Sequence, residues 1–308
     1  MKKKYRILVT PSSFDLDFIK PKLSKNNYVF VFRKGPINDK KILISYLKNC
    51  HGVILGSEIL DKEILTQAKE LKCIVRFGTS TENVDTEFCK LKKIKVFKLP
   101  KNLNTKSTAK HAFAMILSLT NNLYNKAILT KNNNWNRELN FDPVNSKIGI
   151  IGMGKIGKAV SSLLIKFGFN VYYFSRRKIK INNKKIKYIN SLNKLISKCN
   201  LFSIHLSLNK DTQNFFDKKI FKKMKNKLIV NTSRGNLINE NDLYFFLKTN
   251  YMKGAALDVY RNEPSDGISL KLRQLKNVIS TPHTAFYDKY TIIRMCDISI
   301  RKMLDTIK

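Results

Sequence analysis

Acidic residues are in short supply in this chain of 308 residues: 22 Asp and Glu face 59 Lys and Arg, a formal net charge of +37. None at all occurs between Asp142 and Asp211. The basic excess is mostly Lys spread over the whole length, without a basic helix, a zinc-ligand pattern or an aromatic RNA-binding signature, so no nucleic-acid partner is expected. Its field should instead draw small anions towards clefts. Cysteine is sparse as well. Cys50, Cys73, Cys89, Cys199 and Cys296 are odd in number, scattered and form no Cys-x-x-Cys pair, which argues against a disulfide framework or a thiolate metal site. They read as reduced thiols of a cytoplasmic protein, and no metal is expected. No apolar run reaches the length of a membrane span, so no membrane partner is expected either. Met1-Lys2-Lys3-Lys4 is basic, but only Ile7-Leu8-Val9 follows before Thr10-Pro11, too short for the apolar core of a secretory signal. Repeats, low-complexity tracts and linkers are also missing. Histidines number four, which narrows the choice of a proton-transfer group near neutral pH.

What is present begins with Lys147-Ile148-Gly149-Ile150-Ile151-Gly152-Met153-Gly154-Lys155-Ile156-Gly157. An apolar strand runs into Gly-x-Gly-x-x-Gly, and Lys158–Phe167 continues with helical spacing up to Gly168. That context suits a dinucleotide pyrophosphate at a helix N-terminus, contacted by Gly152, Gly154, Lys155, Ile156 and Gly157. Strands are expected at Tyr5–Val9, Tyr28–Phe32, Gly52–Leu55, Lys72–Arg76 and Lys95–Lys98. Helices near Asp15–Lys25, Asp39–Lys48, Asp61–Ala68 and Thr86–Lys93 alternate with them. A single long helix, Thr105–Thr130, and an irregular stretch, Asn132–Ser146, lead to the glycine turn. A second β/α series follows, with strands at Asn170–Phe174, Leu201–Leu206, Lys227–Asn231, Gly254–Val259 and Asn277–Ser280, then a helix at Tyr287–Ile307. Such alternation implies an α/β protein of two doubly wound parallel sheets. The order is satisfied if residues 1–100 and 284–308 form one discontinuous domain around a dinucleotide-binding domain of residues 101–283.

The strand after the glycine turn, Val171-Tyr172-Tyr173-Phe174, normally ends in an acid that binds the adenosine ribose. Here it ends in Ser175-Arg176-Arg177, a hydroxyl and two guanidinium groups suited to a 2′-phosphate. This favours NADPH over NADH, with use of both left open. Further residues follow strand ends: Arg234 in Asn231-Thr232-Ser233-Arg234-Gly235, Asp258 in Ala255-Ala256-Leu257-Asp258, and His283 in Thr281-Pro282-His283-Thr284-Ala285, with Glu263 before Pro264. In an open parallel sheet these ends face the ligand. His51, His111 and His205 read as structural.

These three motifs, in this order and spacing, resemble those of the D-isomer-specific 2-hydroxyacid dehydrogenases. Arg76-Phe77-Gly78-Thr79-Ser80 is similar to that family's substrate-carboxylate loop, and His205-Leu206-Ser207-Leu208 to its cofactor-flanking turn. Val9-Thr10-Pro11-Ser12-Ser13-Phe14 resembles the opening of short phosphoglycerate-dehydrogenase-like members. The resemblance implies a Rossmann cofactor domain within a split, flavodoxin-like substrate domain, the substrate lying in the cleft between them, and a homodimer. It implies hydride transfer between a nicotinamide cofactor and a small anionic 2-oxo or 2-hydroxy acid of the phosphoglycerate, hydroxypyruvate or glyoxylate type. His283 would exchange the proton, Glu263 would orient the imidazole and raise its pKa, and Arg234 would grip the carboxylate and polarise the carbonyl. Arg76 and the region of Gly78, Thr79 and Ser80 would complete the substrate site. Thr108, Leu206, Thr232, Ser233 and Asp258 would touch the cofactor, Asp258 beside the nicotinamide.

The sequence departs from the family pattern at Lys110, where an acid is usual, at Ser207, where Pro is usual, and at Asn121, where Arg is usual. Gly56-Ser57-Glu58 lacks the basic residues that commonly hold a substrate phosphate, a part that Lys and Arg elsewhere, including Arg76, could take, so a phosphate on the substrate is left open. With the chain ending at Lys308, no appended regulatory domain is expected. A corepressor-like, nucleotide-sensing interaction protein on the same fold is the alternative reading.

Overall fold

The computed structural model describes residues 4–15, 17, 27–33, 35–137, 139–140, 142 and 145–307. The chain divides into two compact units, Met1–Asn104 with Tyr287–Lys308, and Thr105–Phe286.

In the first unit β1 (Tyr5–Val9), β2 (Tyr28–Phe32), β3 (Gly52–Leu55), β4 (Cys73–Arg76) and β5 (Lys95–Lys98) form an all-parallel sheet. Its order is β2-β1-β3-β4-β5, the flavodoxin-like arrangement. The central strands are continuous apolar runs because both faces are covered; Ile7, Leu8, Val53, Ile54, Ile74 and Val75 are all fully buried. Helices α1 (Lys40–Leu47), α2 (Lys62–Gln67) and α3 (Thr86–Leu91) start by one device. The carboxylates of Asp39, Asp61 and Asp85 accept the backbone N–H groups of Ile42, Ile64 and Phe88, satisfying donors that a helix start leaves open. The C-terminal helix, Lys289–Thr306, packs on this sheet. A Cβ on Gly52 would lie 2.4 Å from both Met303 Sδ and Ile307 Cδ1, so any larger residue there would have to push these side-chain ends aside. The helix expected at Asp15–Lys25 falls largely outside the described residues.

The second unit holds β6 (Lys147–Ile151), β7 (Asn170–Phe174), β8 (Ile186–Tyr188), β9 (Leu201–Ile204), β10 (Leu228–Asn231), β11 (Gly254–Leu257) and β12 (Val278–Ser280). All neighbours are parallel, in the order β12-β11-β10-β9-β6-β7-β8. Counted from β6, this is the Rossmann order with one further edge strand. Alternate strand residues supply two cores. Ile148, Ile150, Val171, Leu201 and Val230 face one layer with Val160 and Ile116, contributed by α6 (Lys155–Lys166) and α4 (Thr105–Thr120). Ile151, Phe202, Ile204, Ile229 and Leu257 face the other, under α7 (Leu192–Lys198), α8 (Lys218–Phe221), α9 (Glu240–Lys248) and α10 (Gly267–Arg273).

The single helix expected over Thr105–Thr130 is two helices. α4 ends at Thr120, and α5 runs over Leu123–Lys131. Its last turn diverts side chains onto its own backbone: Thr120 Oγ1 donates to the Ile116 carbonyl and Asn121 Nδ2 to the Leu117 carbonyl. Asn122 then takes a left-handed conformation at φ +48°, which Asn tolerates better than most residues. β8, α7, α8 and α10 were not anticipated, being too short for a periodic signal.

Candidate active site

Strand register lines up the functional segments. Ile151 pairs with Ile204, Ile204 with Asn231, Asn231 with Leu257 and Leu257 with Ser280. The next residues, Gly152, His205, Thr232, Asp258 and Thr281, therefore leave one sheet edge as a row. From Gly152 to Asp258 the row crosses three strand spacings, roughly 14 Å. It includes the switch point between β6 and β9, where doubly wound sheets take their ligands.

The glycine turn fits a dinucleotide. Gly152 has φ +97°, and a Cβ there would meet the His205 carbonyl oxygen at 2.4 Å. A Cβ on Gly157 would meet the Gly152 carbonyl oxygen at 2.2 Å, whereas nothing lies within 4 Å of one on Gly154. So Gly152 makes the turn, Gly157 seats the helix against the strand, and Gly154 leaves its backbone open to an approaching group. The 12-residue α6 follows Gly154, which as its N-cap offers no side-chain hydrogen bond, leaving its first N–H groups and positive dipole end for an anion. Lys155 is exposed and Ile156 half-buried there. Thr232 Oγ1, in the same strand-end row, is buried without a partner, a donor of the kind a bound ligand satisfies. Thr108 is buried in α4 and Leu206 half-buried after β9. After β7 the Ser175 hydroxyl donates to the Arg177 carbonyl at 2.5 Å, while Arg176 and Arg177 are exposed.

His205 lies beneath the glycine turn. Its Nε2 is 2.9 Å from Ser203 Oγ and its Nδ1 is buried without a partner. The residue keeps part of its surface in solvent, yet burial of the ring pushes its pKa down to about 4, so the imidazole is neutral at pH 7.

His283 and Glu263 form a close pair, His283 Nδ1 to Glu263 Oε2 at 2.6 Å, with their side chains 39% and 33% exposed. Glu263 Oε1 accepts the Tyr260 backbone N–H at 2.9 Å, so both carboxylate oxygens are committed and Nε2 is left facing away from the acid. His283 has φ +54°, a conformation that a non-glycine residue keeps only when its surroundings hold it. Asp258 provides that hold. Its backbone carbonyl accepts the His283 N–H at 2.8 Å. Its carboxylate accepts Thr281 Oγ1 at 2.6 Å and the backbone N–H groups of Thr284 at 2.8 Å and Ala285 at 2.9 Å. His111 Nε2 stands 3.4 Å from Asp258 Oδ1 and 3.1 Å from Thr281 Oγ1. Burial opposes ionisation of Asp258, but hydrogen bonds from His111, Thr281 and the two amides outweigh it and hold its carboxyl below the usual range. Asp258 is fully buried; the one loop it grips carries His283.

Arg234 follows β10 half-buried, with Nη1 donating to the Ser233 carbonyl at 2.7 Å. Ser233 is fixed by its hydroxyl on the Ile204 carbonyl and its N–H on Asn231 Oδ1. Arg76, Gly78, Thr79 and Ser80 belong to the other unit, at and just after the end of β4. Arg76 Nε donates to Asn83 Oδ1 at 2.9 Å and Nη1 to the Phe77 carbonyl at 2.8 Å. The Gly78 N–H donates to the Arg76 carbonyl. His111 and Thr281 are the site partners that sequence reasoning did not assign. The signal for His111 was its place three residues after Thr108, on the same face of α4.

Residues 113–285 match the family described as D-isomer specific 2-hydroxyacid dehydrogenase, NAD binding domain. A glyoxylate reductase of Korarchaeum cryptofilum is 28% identical over 275 residues, covering 86% of this chain and 82% of that protein. A putative 2-hydroxyacid dehydrogenase of Staphylococcus haemolyticus is 32% identical over 274 residues, 85% and 84% of the two chains. In fold, the chain resembles the D-lactate dehydrogenase of Aquifex aeolicus solved with NAD and lactic acid, with a TM-score of 0.85 at 24% identity, covering 97% and 94%. Fold and strand-edge row together define a dehydrogenase of the two-sheet, dinucleotide-binding kind. The chain belongs to the D-isomer specific 2-hydroxyacid dehydrogenase family. It is an NAD(P)-dependent oxidoreductase acting on the CH–OH group of 2-hydroxy acids, and the interaction-protein alternative is not favoured.

Proposed function

We propose that the protein interconverts a short, unphosphorylated 2-oxo acid and its D-2-hydroxy acid, with His283 as the proton-exchanging group and NADPH as the preferred cofactor. The 2.6 Å pair of His283 and Glu263, at the sheet edge that begins with the glycine turn, carries this reading. A bound nicotinamide dinucleotide supplies or accepts the hydride. Glu263 holds the Nδ1 side of the imidazole, so Nε2 meets the substrate oxygen and gives or takes its proton. Arg234 provides a planar fork for the substrate carboxylate and stabilises charge on the carbonyl oxygen. Arg76, Gly78, Thr79 and Ser80 contribute further donors for the carboxylate. Gly152, Gly154, Lys155, Ile156 and Gly157 hold the pyrophosphate, and Thr108, Leu206, Thr232 and Ser233 line the cofactor. Asp258 acts from behind, through the His283 loop.

The exposed Arg176 and Arg177, in a stretch without acids, support the 2′-phosphate. The acid at Glu58, where a phosphate-binding base would be useful, supports an unphosphorylated substrate. Five buried, free cysteines suit a reducing, cytoplasmic setting. The exposed Leu123, Tyr124 and Ile128 of α5 support a homodimer.

Purified protein should oxidise NADPH faster than NADH with glyoxylate, hydroxypyruvate or pyruvate, and much more slowly with phosphohydroxypyruvate. H283A should lower kcat by roughly 10²–10⁴, the usual weight of general acid–base catalysis, and leave the cofactor Kd unchanged. Unchanged turnover in H283A would remove His283 from its role.

A further inference from the structure

Glu240, the first residue of α9, is buried at 4% exposure although it carries a carboxyl group. A carboxylate in the first turn of a helix has an ordinary use, complementing the helix dipole. Glu240 instead directs both oxygens away from its own helix. Oε1 accepts the Arg261 backbone N–H at 2.7 Å, and Oε2 accepts the Ser269 hydroxyl at 2.5 Å from fully buried Ser269 in α10. The N–H next to that of Arg261 is Tyr260's, which donates to Glu263 Oε1. Two carboxylates thus grip adjacent amides of one turn, one buried and one in the active site.

The same turn is pressed against Gly235, the residue after Arg234. A Cβ on Gly235 would lie 2.0 Å from the Tyr260 carbonyl carbon, 2.1 Å from its oxygen and 2.4 Å from Arg261 N. The Tyr260 hydroxyl hydrogen-bonds Ser280, the last residue of β12, and so ties the turn to the strand that leads to His283. Glu240 Oε1, Gly235 and the Tyr260 hydroxyl all bear on the turn that presents Glu263, while Ser269 holds the second oxygen of Glu240. We infer that Glu240 is a positioning residue for the Glu263–His283 pair.

This rests on the proposed roles of Glu263 and His283, so its test includes a reading that needs no turnover. A strong imidazole-to-carboxylate hydrogen bond places the Nδ1 proton far downfield in the proton spectrum, and H283Q assigns it by removing it. In the full-length protein E240A should broaden or abolish this resonance. It should also lower kcat by roughly tenfold to a hundredfold, as loss of alignment does, with KM changed less than about twofold. E240Q should restore both, because its amide oxygen still accepts from Arg261 and its amide N–H reaches Ser269. In an E263Q background E240A should cost nothing more, since its effect passes through Glu263.

An intact resonance and wild-type kcat in E240A overturn the inference. So does an additive loss in the E263Q background, or the lack of the resonance in the wild type. If E240A does not fold, E240D, one methylene shorter, takes its place with the same expected losses. Should the wild type show no dehydrogenase activity, the proposed function fails, while the resonance still decides the part of Glu240.

Discussion

Two acid-sensitive residues of this protein, His205 and Asp258, lie at the sheet edge beneath the His283 loop and the glycine turn. His205 has a pKa of about 4 through burial, below the ordinary value of about 6.5 for a histidine. In the unfolded chain it takes up a proton as pH falls through 6.5; in the folded chain it does so only near 4. The unfolded state therefore binds the extra proton first, and stability falls with pH across that window. The loss is on the order of 2 kcal/mol, allowing for the part of the residue that water reaches. Asp258 acts in the same direction at lower pH. Its depressed carboxyl contributes stability above the ordinary carboxylate value, and this is lost as pH falls through the depressed one. H205Q should flatten the decline of Tm between pH 6.5 and 4 and leave the steeper loss below it. An unchanged Tm profile in H205Q would place the acid sensitivity elsewhere.

Among elements, the β6–turn–α6 unit is the one most strictly specified by its residues. G152A would add a Cβ 2.4 Å from a backbone carbonyl at φ +97°, where neither the turn nor β9 can yield cheaply. We expect a loss of roughly 1–3 kcal/mol in stability and at least a tenfold weaker cofactor Kd by fluorescence titration. A Kd within threefold of wild type would exclude the turn as the pyrophosphate site.

This unit was legible in the sequence because a positive φ at Gly152 and a close approach at Gly157 demand glycine at a fixed offset, with Gly154 leaving the helix start open between them. The strand-end motifs around Arg234, Asp258 and His283 were legible for a related reason: parallel strands bury both faces, so the first polar residue after each apolar run marks the sheet edge. The grips on the back of the site were not. Glu240 on Arg261 and His111 on Thr281 span 21 and 170 residues, and no local pattern announces a partner that far away. The break between α4 and α5 was missed because Thr120-Asn121-Asn122 interrupts the helix by side-chain-to-backbone bonds, which a hydrophobic period does not register.

On the scale of the whole molecule, charge and apolar exposure pull in opposite directions. Each copy carries +37, which opposes association by repulsion. Yet α5, nine residues long, buries none of its side chains fully, so packing alone lends it little stability as a helix. It exposes Leu123 at 60%, Tyr124 at 51% and Ile128 at 41%, and Trp135 at 75% and Leu139 at 101% follow in the next segment. Large apolar side chains grouped on one short stretch mark a surface that something covers. In the proposed homodimer a second copy presenting the same stretch would cover it symmetrically. Two consequences separate this dimer from an indifferent surface. Light scattering should give twice the monomer mass, and the dimer should tighten as NaCl rises from 50 to 300 mM, because salt screens the repulsion over about 10 Å but leaves apolar burial intact. L123D/I128D should weaken the dimer by roughly 100-fold or more, by adding charge and removing buried area. If the mass stays that of one chain at every salt concentration, α5 is not a self-association face. If the dimer instead loosens with salt, charge pairs rather than the apolar stretch hold it.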